Sequence, residues 1–253
     1  MLTGKMLRVL ILVGMILSSS AGGIGADAQG ERQEINSLQS LLQMMANQPD
    51  YMADWVFVID ASFMQVKLTR RFRIAKKQGK SWREFYPLED AEKLKSGAAK
   101  SYRLFIITQP GQPPQVFNPQ EMTYTELPDK FPVVPFNIDN VIEKFSKTEK
   151  AVKIENVGTS NMNGHKVMKV RLAFEDGNEG MFFYFAEDLK NLFVGIDGFG
   201  SKDTSKLTVS NISLDVPDEL FDMPKGYRKV ERKYFEEALV KAERSIVLKN
   251  RRN

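Results

Sequence analysis

The feature that most constrains this chain of 253 residues is an alternation of apolar and polar side chains at every second position. Trp55, Phe57 and Ile59 show it first, and the segment from Val66 to Ile74 repeats it with lysine and arginine between the apolar residues. A period of two is typical of a β-strand that buries one face. The same kind of pattern predicts further strands over Ser81–Tyr86, Tyr102–Thr108, Gln115–Phe117, Met122–Glu126, Val152–Val157, Lys166–Phe174, Gly180–Ala186, Leu192–Ile196 and Lys206–Leu214.

Short segments rich in glycine, asparagine and aspartate separate these strands, as is typical of tight turns. They are Gly79-Lys80, Asn161–Gly164, Asp176-Gly177-Asn178 and Gly198–Asp203. Because most strands follow one another with no helix between them, the order predicts an antiparallel meander rather than β–α–β units. We expect the sheet to curve, since a flat sheet of this length would expose its edges. The predicted fold class is α+β, mostly antiparallel β.

Three segments have apolar residues at helical spacing instead. They are Glu31–Gln48, Asp139–Thr148 and Lys229–Lys249, and a weaker pattern covers Glu89–Lys95. Each has one apolar stripe, so each is expected to pack on an apolar surface. The last helix also carries many lysines and arginines, which would suit an anionic membrane surface, but its glutamates dilute that charge and favour packing on the sheet.

The first 28 residues have the order of a secretory signal peptide. Lys5 and Arg8 precede an apolar run from Val9 to Leu17, which is much shorter than the ~20 residues that span a bilayer. Small residues follow, and the segment ends in Ala26-Asp27-Ala28, an A-x-A cleavage site. The sequence therefore predicts export to the periplasm with cleavage after Ala28, in preference to an uncleaved anchor.

The chain contains no cysteine. Disulfides, thiolate metal sites and covalent haem attachment are therefore excluded, as is the lipid anchor of bacterial lipoproteins. The net charge is +4, and removal of residues 1–28 lowers it by one, because two cations and one anion are lost. A charge of this size supports solubility and does not predict nucleic-acid binding.

Groups that could perform catalysis are scarce. The single histidine, His165, follows Asn163-Gly164, a hairpin-turn pair, and is expected at the exposed start of a strand. The acidic segment from Glu175 to Glu179 lacks the ligand spacing of a calcium loop, and no glycine-rich phosphate loop is present. We therefore predict no catalytic residue, no metal site and no cofactor.

On each strand, the alternate positions that face the apolar side carry large hydrophobic residues. These residues are the candidates for a ligand-binding site. Any one of them could be ordinary core, but together they exceed what one sheet with few helices obviously buries, which favours a cavity for an acyl chain. Arg70 shares the parity of Phe72, and a buried arginine requires a polar partner. The predicted ligand-binding set is Trp55, Phe57, Ile59, Phe63, Arg70, Phe72, Ile74, Met168 and Phe183.

The sequence resembles the LolA-like superfamily of outer-membrane lipoprotein carriers and sorting proteins over most of residues 31–228. The resemblance lies in Phe117-Asn118-Pro119 with the segment 123–128, in Leu220–Tyr227, and in 157–159 with 163–170. It implies an unclosed half β-barrel over residues 29–228, with helices as a lid over a hydrophobic cavity. It also implies an inward arginine on an early strand, which matches Arg70. The Pro110–Pro114 connection and the basic helix at 229–253 depart from the family pattern.

Two functions follow as expectations. The first is a periplasmic carrier or chaperone that binds lipid acyl chains or lipidated proteins in outer-membrane lipoprotein or lipid sorting. The second is a non-enzymatic scaffold or sensor that uses the same fold to bind an envelope protein. Fold-level likeness does not decide between them. Neither involves nucleic acid, and membrane contact would be peripheral at most.

Overall fold

A computed structural model describes residues 35–61, 66–86, 104–127, 152–174, 177–200 and 204–235, with the backbone alone at 59–61, 66–70, 85–86 and 204–205. These residues form two compact units. The first unit contains the described residues of 35–49 and 152–210, and the second contains those of 50–127 and 211–235. The signal peptide, Phe63, the predicted helices at Glu89–Lys95 and Asp139–Thr148, and residues 236–253 lie outside the described residues.

The elements with described bounds are one α-helix, twelve strands and two short 3-10 helices, at Glu187–Leu189 and Asp218–Phe221. In chain order they are α1 Leu38–Ala46, β1 Tyr51–Ala61, β2 Val66–Lys77, β3 Lys80–Tyr86, β4 Leu104–Thr108, β5 Gln115–Asn118, β6 Thr123–Glu126, β7 Val152–Met162, β8 His165–Phe174, β9 Gly180–Ala186, β10 Leu192–Phe199, β11 Thr204–Ser213 and β12 Arg228–Lys229. The strand pairings within each unit are antiparallel, apart from the parallel pairing of β12 with β6. The prediction of a mostly antiparallel β protein is confirmed.

The helix α1 begins later than the apolar pattern predicts. Ser37 and Ser40 form a capping box, in which each hydroxyl accepts a hydrogen bond of 3.1 Å from the backbone N–H of the other residue. This box satisfies N–H groups that the first turn leaves open, so the helix begins at Leu38 rather than at Glu31. The predicted end is close to correct, because Asn47 donates its N–H to the carbonyl of Gln43 at 2.9 Å.

The first unit orders its strands β7-β8-β9-β10-β11. Its core consists of large apolar side chains that are at most 2% exposed, among them Phe183, Phe185, Phe193 and Leu172. The predicted Asn163-Gly164 hairpin turn joins β7 to β8, and both of its residues have positive φ angles, as a type I′ turn requires. Strand β7 runs five residues past its predicted end at Val157, through a bulge between Asn156 and Thr159.

The second unit orders its strands β1-β2-β3-β4-β5-β6-β12. Gln78 and Gly79 both have positive φ and form the two-residue turn between β2 and β3. On one side of this sheet, Trp82, Ile107 and Phe117 pack in a cluster with Val216 and Phe221. We call this side the Phe221 face.

The last strand of the second unit differs from the prediction. Lys229, expected to start the last helix, lies in β12, and the described part of that helix covers 232–235. The main chain explains this, because the N–H groups of Arg228 and Val230 donate to the carbonyls of Met122 and Tyr124 at 2.9 Å. No helix in the described ranges is long and apolar enough to cross a membrane.

Candidate functional site

The register of β1 and β2 places most of the predicted binding residues on one side of the second unit's sheet. Trp55 lies opposite Phe72, Phe57 opposite Arg70, and Ile59 opposite Leu68. Residues opposite each other in an antiparallel pair share a face. Trp55, Phe57, Phe72 and Ile74 are all at most 8% exposed. Ile59 and Arg70 are placed here by backbone register alone.

We call this side the Trp55 face, and it is opposite the Phe221 face. It comprises the residues of β1 to β3 that share the parity of Trp55. Those whose side chains the structure describes are Tyr51, Ala53, Trp55, Phe57, Phe72, Ile74, Lys76, Ser81 and Arg83. The other two predicted residues belong to the first unit. Met168 and Phe183, on β8 and β9, are 9% and 0% exposed and lie in the core of that unit.

Sequence reasoning missed the polar members of the Trp55 face. Tyr51 lies directly opposite Lys76, which in turn lies opposite Ser81. Arg83 lies opposite Ile74, two residues further along β3 than Ser81. Tyr51, Ser81 and Arg83 are 2%, 0% and 8% exposed, and Lys76 is half-buried. Two cationic side chains and two hydroxyls therefore occupy one end of an otherwise apolar face.

Burial changes the electrostatics of these groups. Burial, together with the nearby Arg83 charge, lowers the pKa of Lys76 to about 7. Burial also lowers the pKa of Arg83 to about 10, although Tyr51 acts in the opposite direction. The pKa of Tyr51 is raised by burial above its usual value, so this phenol is neutral and can donate a hydrogen bond. At neutral pH, Arg83 is charged, and Lys76 loses its proton far more readily than an exposed lysine does.

The neighbouring lysine provides a contrast. Lys77 points to the Phe221 face, where its ammonium donates to the carbonyl of Val216 at 2.8 Å and pairs with Asp218 at 2.9 Å. The hydrogen bond to Asp218 raises the pKa of Lys77. Consecutive residues of one strand therefore place one lysine in an ordinary surface ion pair and the other beside a second cation.

A buried arginine beside a half-buried lysine is unusual in a face that serves only as core. Taking a charge out of water costs several kcal/mol, and well-packed apolar residues often stabilise a fold at least as well as a buried charged group does. Perturbed pKa values concentrate at functional sites. In addition, the hydroxyl of Ser81 is fully buried and has no hydrogen-bond partner among the described residues. This end of the Trp55 face is therefore the candidate functional site.

The sequence did contain a signal for these residues. Lys76 has the parity of Phe72 and Ile74, so the argument that placed Arg70 on the apolar face applies to Lys76 as well. Arg83 requires one further step. The two-residue turn at Gln78 and Gly79 makes Lys77 and Lys80 partners, and counting back from that pair places Arg83 opposite Ile74.

Other candidate groups form ordinary surface contacts. His165 begins β8, as predicted, and its Nδ1 lies 2.8 Å from a carboxylate oxygen of Asp188. This hydrogen bond lowers the pKa of Asp188. In the described ranges, no three acidic or histidine side chains are close enough to hold a metal ion.

No family model matches the sequence, and no curated protein matches it. Among solved structures, the chain is similar to MucB, with 11% identity and a TM-score of 0.44, over 74% of this chain and 62% of MucB. It is also similar to an uncharacterized conserved protein from Thermus thermophilus, with 14% identity and a TM-score of 0.43, over 77% of this chain and 98% of that one.

A third similar structure is a LolA superfamily protein from Nitrosomonas europaea, with 11% identity and a TM-score of 0.33, over 74% of this chain and 98% of that one. A member of the superfamily that the sequence resembles is thus among the similar structures. The alignment spans less than two thirds of MucB. At these identities and TM-scores, the likenesses carry no argument about what this chain binds.

Proposed function

We propose that the protein is an exported carrier or chaperone of the bacterial envelope that binds lipid acyl chains, free or attached to a protein, against the Trp55 face. The observation that carries this proposal is the concentration of predicted lining residues on that one face, including Trp55, Phe57, Phe72 and Ile74. Contact with such a face removes an acyl chain from water, which is worth about 0.8 kcal/mol per methylene.

Binding of this kind requires the face to become accessible. Trp55 is 1% exposed and Ile74 is 2% exposed, so a ligand must displace whatever covers them. The family resemblance implies a helical lid over the cavity. The lid remains a prediction, as do export, removal of residues 1–28 and the match of Arg70 to the family's inward arginine.

A matched pair of variants tests where the acyl chain binds. Phe57→Ala and Phe185→Ala each remove a buried aromatic ring, the first from the Trp55 face and the second from the core of the first unit. Each is expected to lower stability by ~3–5 kcal/mol. We expect only Phe57→Ala to weaken binding of a fluorescent fatty acid to residues 29–253, measured at a temperature where both variants remain folded. Equal weakening by both variants, or by neither, would contradict the proposed site.

A second function, binding of a protein partner, has one observation in its favour. Strand β7 pairs with β8 alone among the described strands, and most of its side chains are exposed, including Val157 at 44%. An open strand edge can accept a strand from another chain. If this is the function, affinity capture from the native envelope should recover one dominant protein, and Val157→Lys should abolish its recovery.

A further inference from the structure

We propose that Lys76, Ser81 and Arg83 form a subsite for the head group of an anionic amphiphile, a carboxylate or a phosphate monoester, whose chain lies along Trp55 and Phe72. This inference rests on the proposed function and names the class of ligand that the Trp55 face takes. It follows from the position of the polar groups on that face, from their charge, and from the buried hydroxyl of Ser81.

The Trp55 face is polar at one end and apolar along the rest of its length. Tyr51, Lys76 and Ser81 form one row across three strands. The next row contains Ala53, Ile74 and Arg83, and the row after it contains Trp55 and Phe72. With a rise of ~3.3 Å per residue, the backbone position of Arg70 is about 20 Å along β2 from Lys76. This order of polar and apolar rows matches the order of head group and chain in an amphiphile.

The chemistry of the polar groups at this end of the face suits an anion. Arg83 presents a planar fork of N–H groups, which matches the oxygens of a carboxylate or a phosphate. Lys76 lies diagonal to Arg83 in the register of β2 on β3, so a head group at this end of the face would meet two cationic groups. The hydroxyl of Ser81, which is 0% exposed, supplies a further donor directly across from Lys76.

The test compares three ligands with the same chain, namely dodecanoate, dodecyl phosphate and dodecanol. Each ligand is titrated at pH 7 into residues 29–253 that carry the neutral fluorescent probe N-phenyl-1-naphthylamine, and displacement of the probe gives the affinity of the ligand. We expect at least one of the two anions to bind about tenfold or more tightly than dodecanol. A preference for dodecyl phosphate alone, or for dodecanoate alone, would support the subsite and identify the head group.

Variants then assign the preference to the subsite. Lys76→Met should fold, because burial already disfavours the lysine charge, and it should reduce the preference for the anion about tenfold. Ser81→Ala should reduce it less. Arg71→Met is the matched control, since Arg71 lies on the same strand as Lys76 but is exposed on the opposite face, and it should leave the preference unchanged.

The outcomes separate this inference from the function on which it rests. If dodecanol binds as tightly as both anions, or if Arg71→Met reduces the preference as much as Lys76→Met, the subsite is refuted and an acyl-binding face remains. If neither the probe nor any of the three ligands binds the folded protein, the proposed function itself is refuted.

Discussion

The two units of the molecule place their polar side chains in different ways. In the first unit, the core is apolar, and, tyrosine aside, no buried side chain among its described residues is polar or charged. Its cations lie on partly exposed positions. The ammonium of Lys169 is 3.8 Å from the centre of the Phe182 ring, and Arg171 donates to Glu155 at 2.7 Å. The second unit contains every buried polar or charged residue, tyrosine aside, that the structure describes. They are Ser81, Arg83, Glu84, Asn118, Thr123 and Thr125.

The two units also differ in where their charged side chains lie relative to the apolar ones. The first unit follows the rule that apolar groups are buried and charged groups are exposed or paired. The second unit places Arg83 and the half-buried Lys76 on the same face as Trp55, Phe57 and Phe72. A ligand that carries both an apolar chain and a negative charge would suit that arrangement.

The largest expected effect is on the stability of the first unit. Phe183 is 0% exposed and lies in a core without buried charge. Phe183→Ala should lower the free energy of unfolding by ~3–5 kcal/mol, because it removes buried apolar surface and leaves a cavity. Urea titration followed by circular dichroism measures this. A loss below about 1 kcal/mol would mean that this core is not tightly packed, and the contrast between the units would fail.

The next effect concerns pH and the second unit. Lys76 binds its proton less tightly in the folded chain, with a pKa of about 7, than in the unfolded chain. Between about pH 7 and pH 9.5 the unfolded state therefore holds more protons, and the Lys76 contribution to stability should rise with pH by at most about 1.4 kcal/mol per unit. Tyr51 works in the opposite direction above about pH 10, because its pKa is raised, so the window ends below that.

Thermal unfolding of the parent chain and of Lys76→Met across this pH range measures the effect. The parent should gain stability relative to the variant as the pH rises. Parallel curves for the two proteins would show that Lys76 is not buried beside Arg83, and the electrostatic part of the account would be wrong.

Some of the features behind these predictions could be predicted from the sequence, and others could not. The alternation around Trp55 and Phe72 was sufficient to predict the strands and the residues of one shared face, because the period of two fixes which side chains share a side. It could not place Lys76 and Arg83 together, since that needs the register of β2 on β3 as well as the pattern within each strand. The alternation alone also does not distinguish Arg70 from Lys76, because both lie on the side of β2 that carries Phe72.

The ends of elements were less predictable for a similar reason. The start of α1 depends on the reciprocal hydrogen bonds of Ser37 and Ser40, which apolar spacing does not reveal. Strand β7 continues beyond its predicted end because a bulge at Asn156 and Thr159 lets the pairing with β8 resume. Such features depend on the neighbouring strand, and a single segment of sequence does not contain that information.

A third prediction concerns binding without loss of fold. Arg70 lies opposite Phe57 in the register, on the Trp55 face. We expect Arg70→Leu to change retention of a bound fatty acid while the β-sheet circular dichroism spectrum stays unchanged. The matched control is Arg71→Leu, on the exposed side of the same strand, which should change neither. Unfolding of Arg70→Leu would show that Arg70 has a structural role instead.

The smallest effect is expected at the surface of the first unit. Arg171 and Glu155 form an ion pair that is partly exposed, and the hydrogen bond from Arg171 lowers the pKa of Glu155. Because solvent screens such pairs, Glu155→Gln should shift the midpoint of urea denaturation only slightly. A shift of the urea midpoint as large as that of Phe183→Ala would show that this unit also depends on a strong charge interaction, and the contrast with the second unit would weaken.

The most direct test of the central claim uses the two tryptophans of the chain. Trp55 lies on the Trp55 face, whereas Trp82 packs on the Phe221 face of the same sheet. A fatty acid with a brominated chain quenches a tryptophan that it contacts. We predict saturable quenching in Trp82→Phe, which retains Trp55, and little quenching in Trp55→Phe, which retains Trp82. Equal quenching of both variants, or quenching of Trp82 alone, would contradict an acyl-binding site on the Trp55 face.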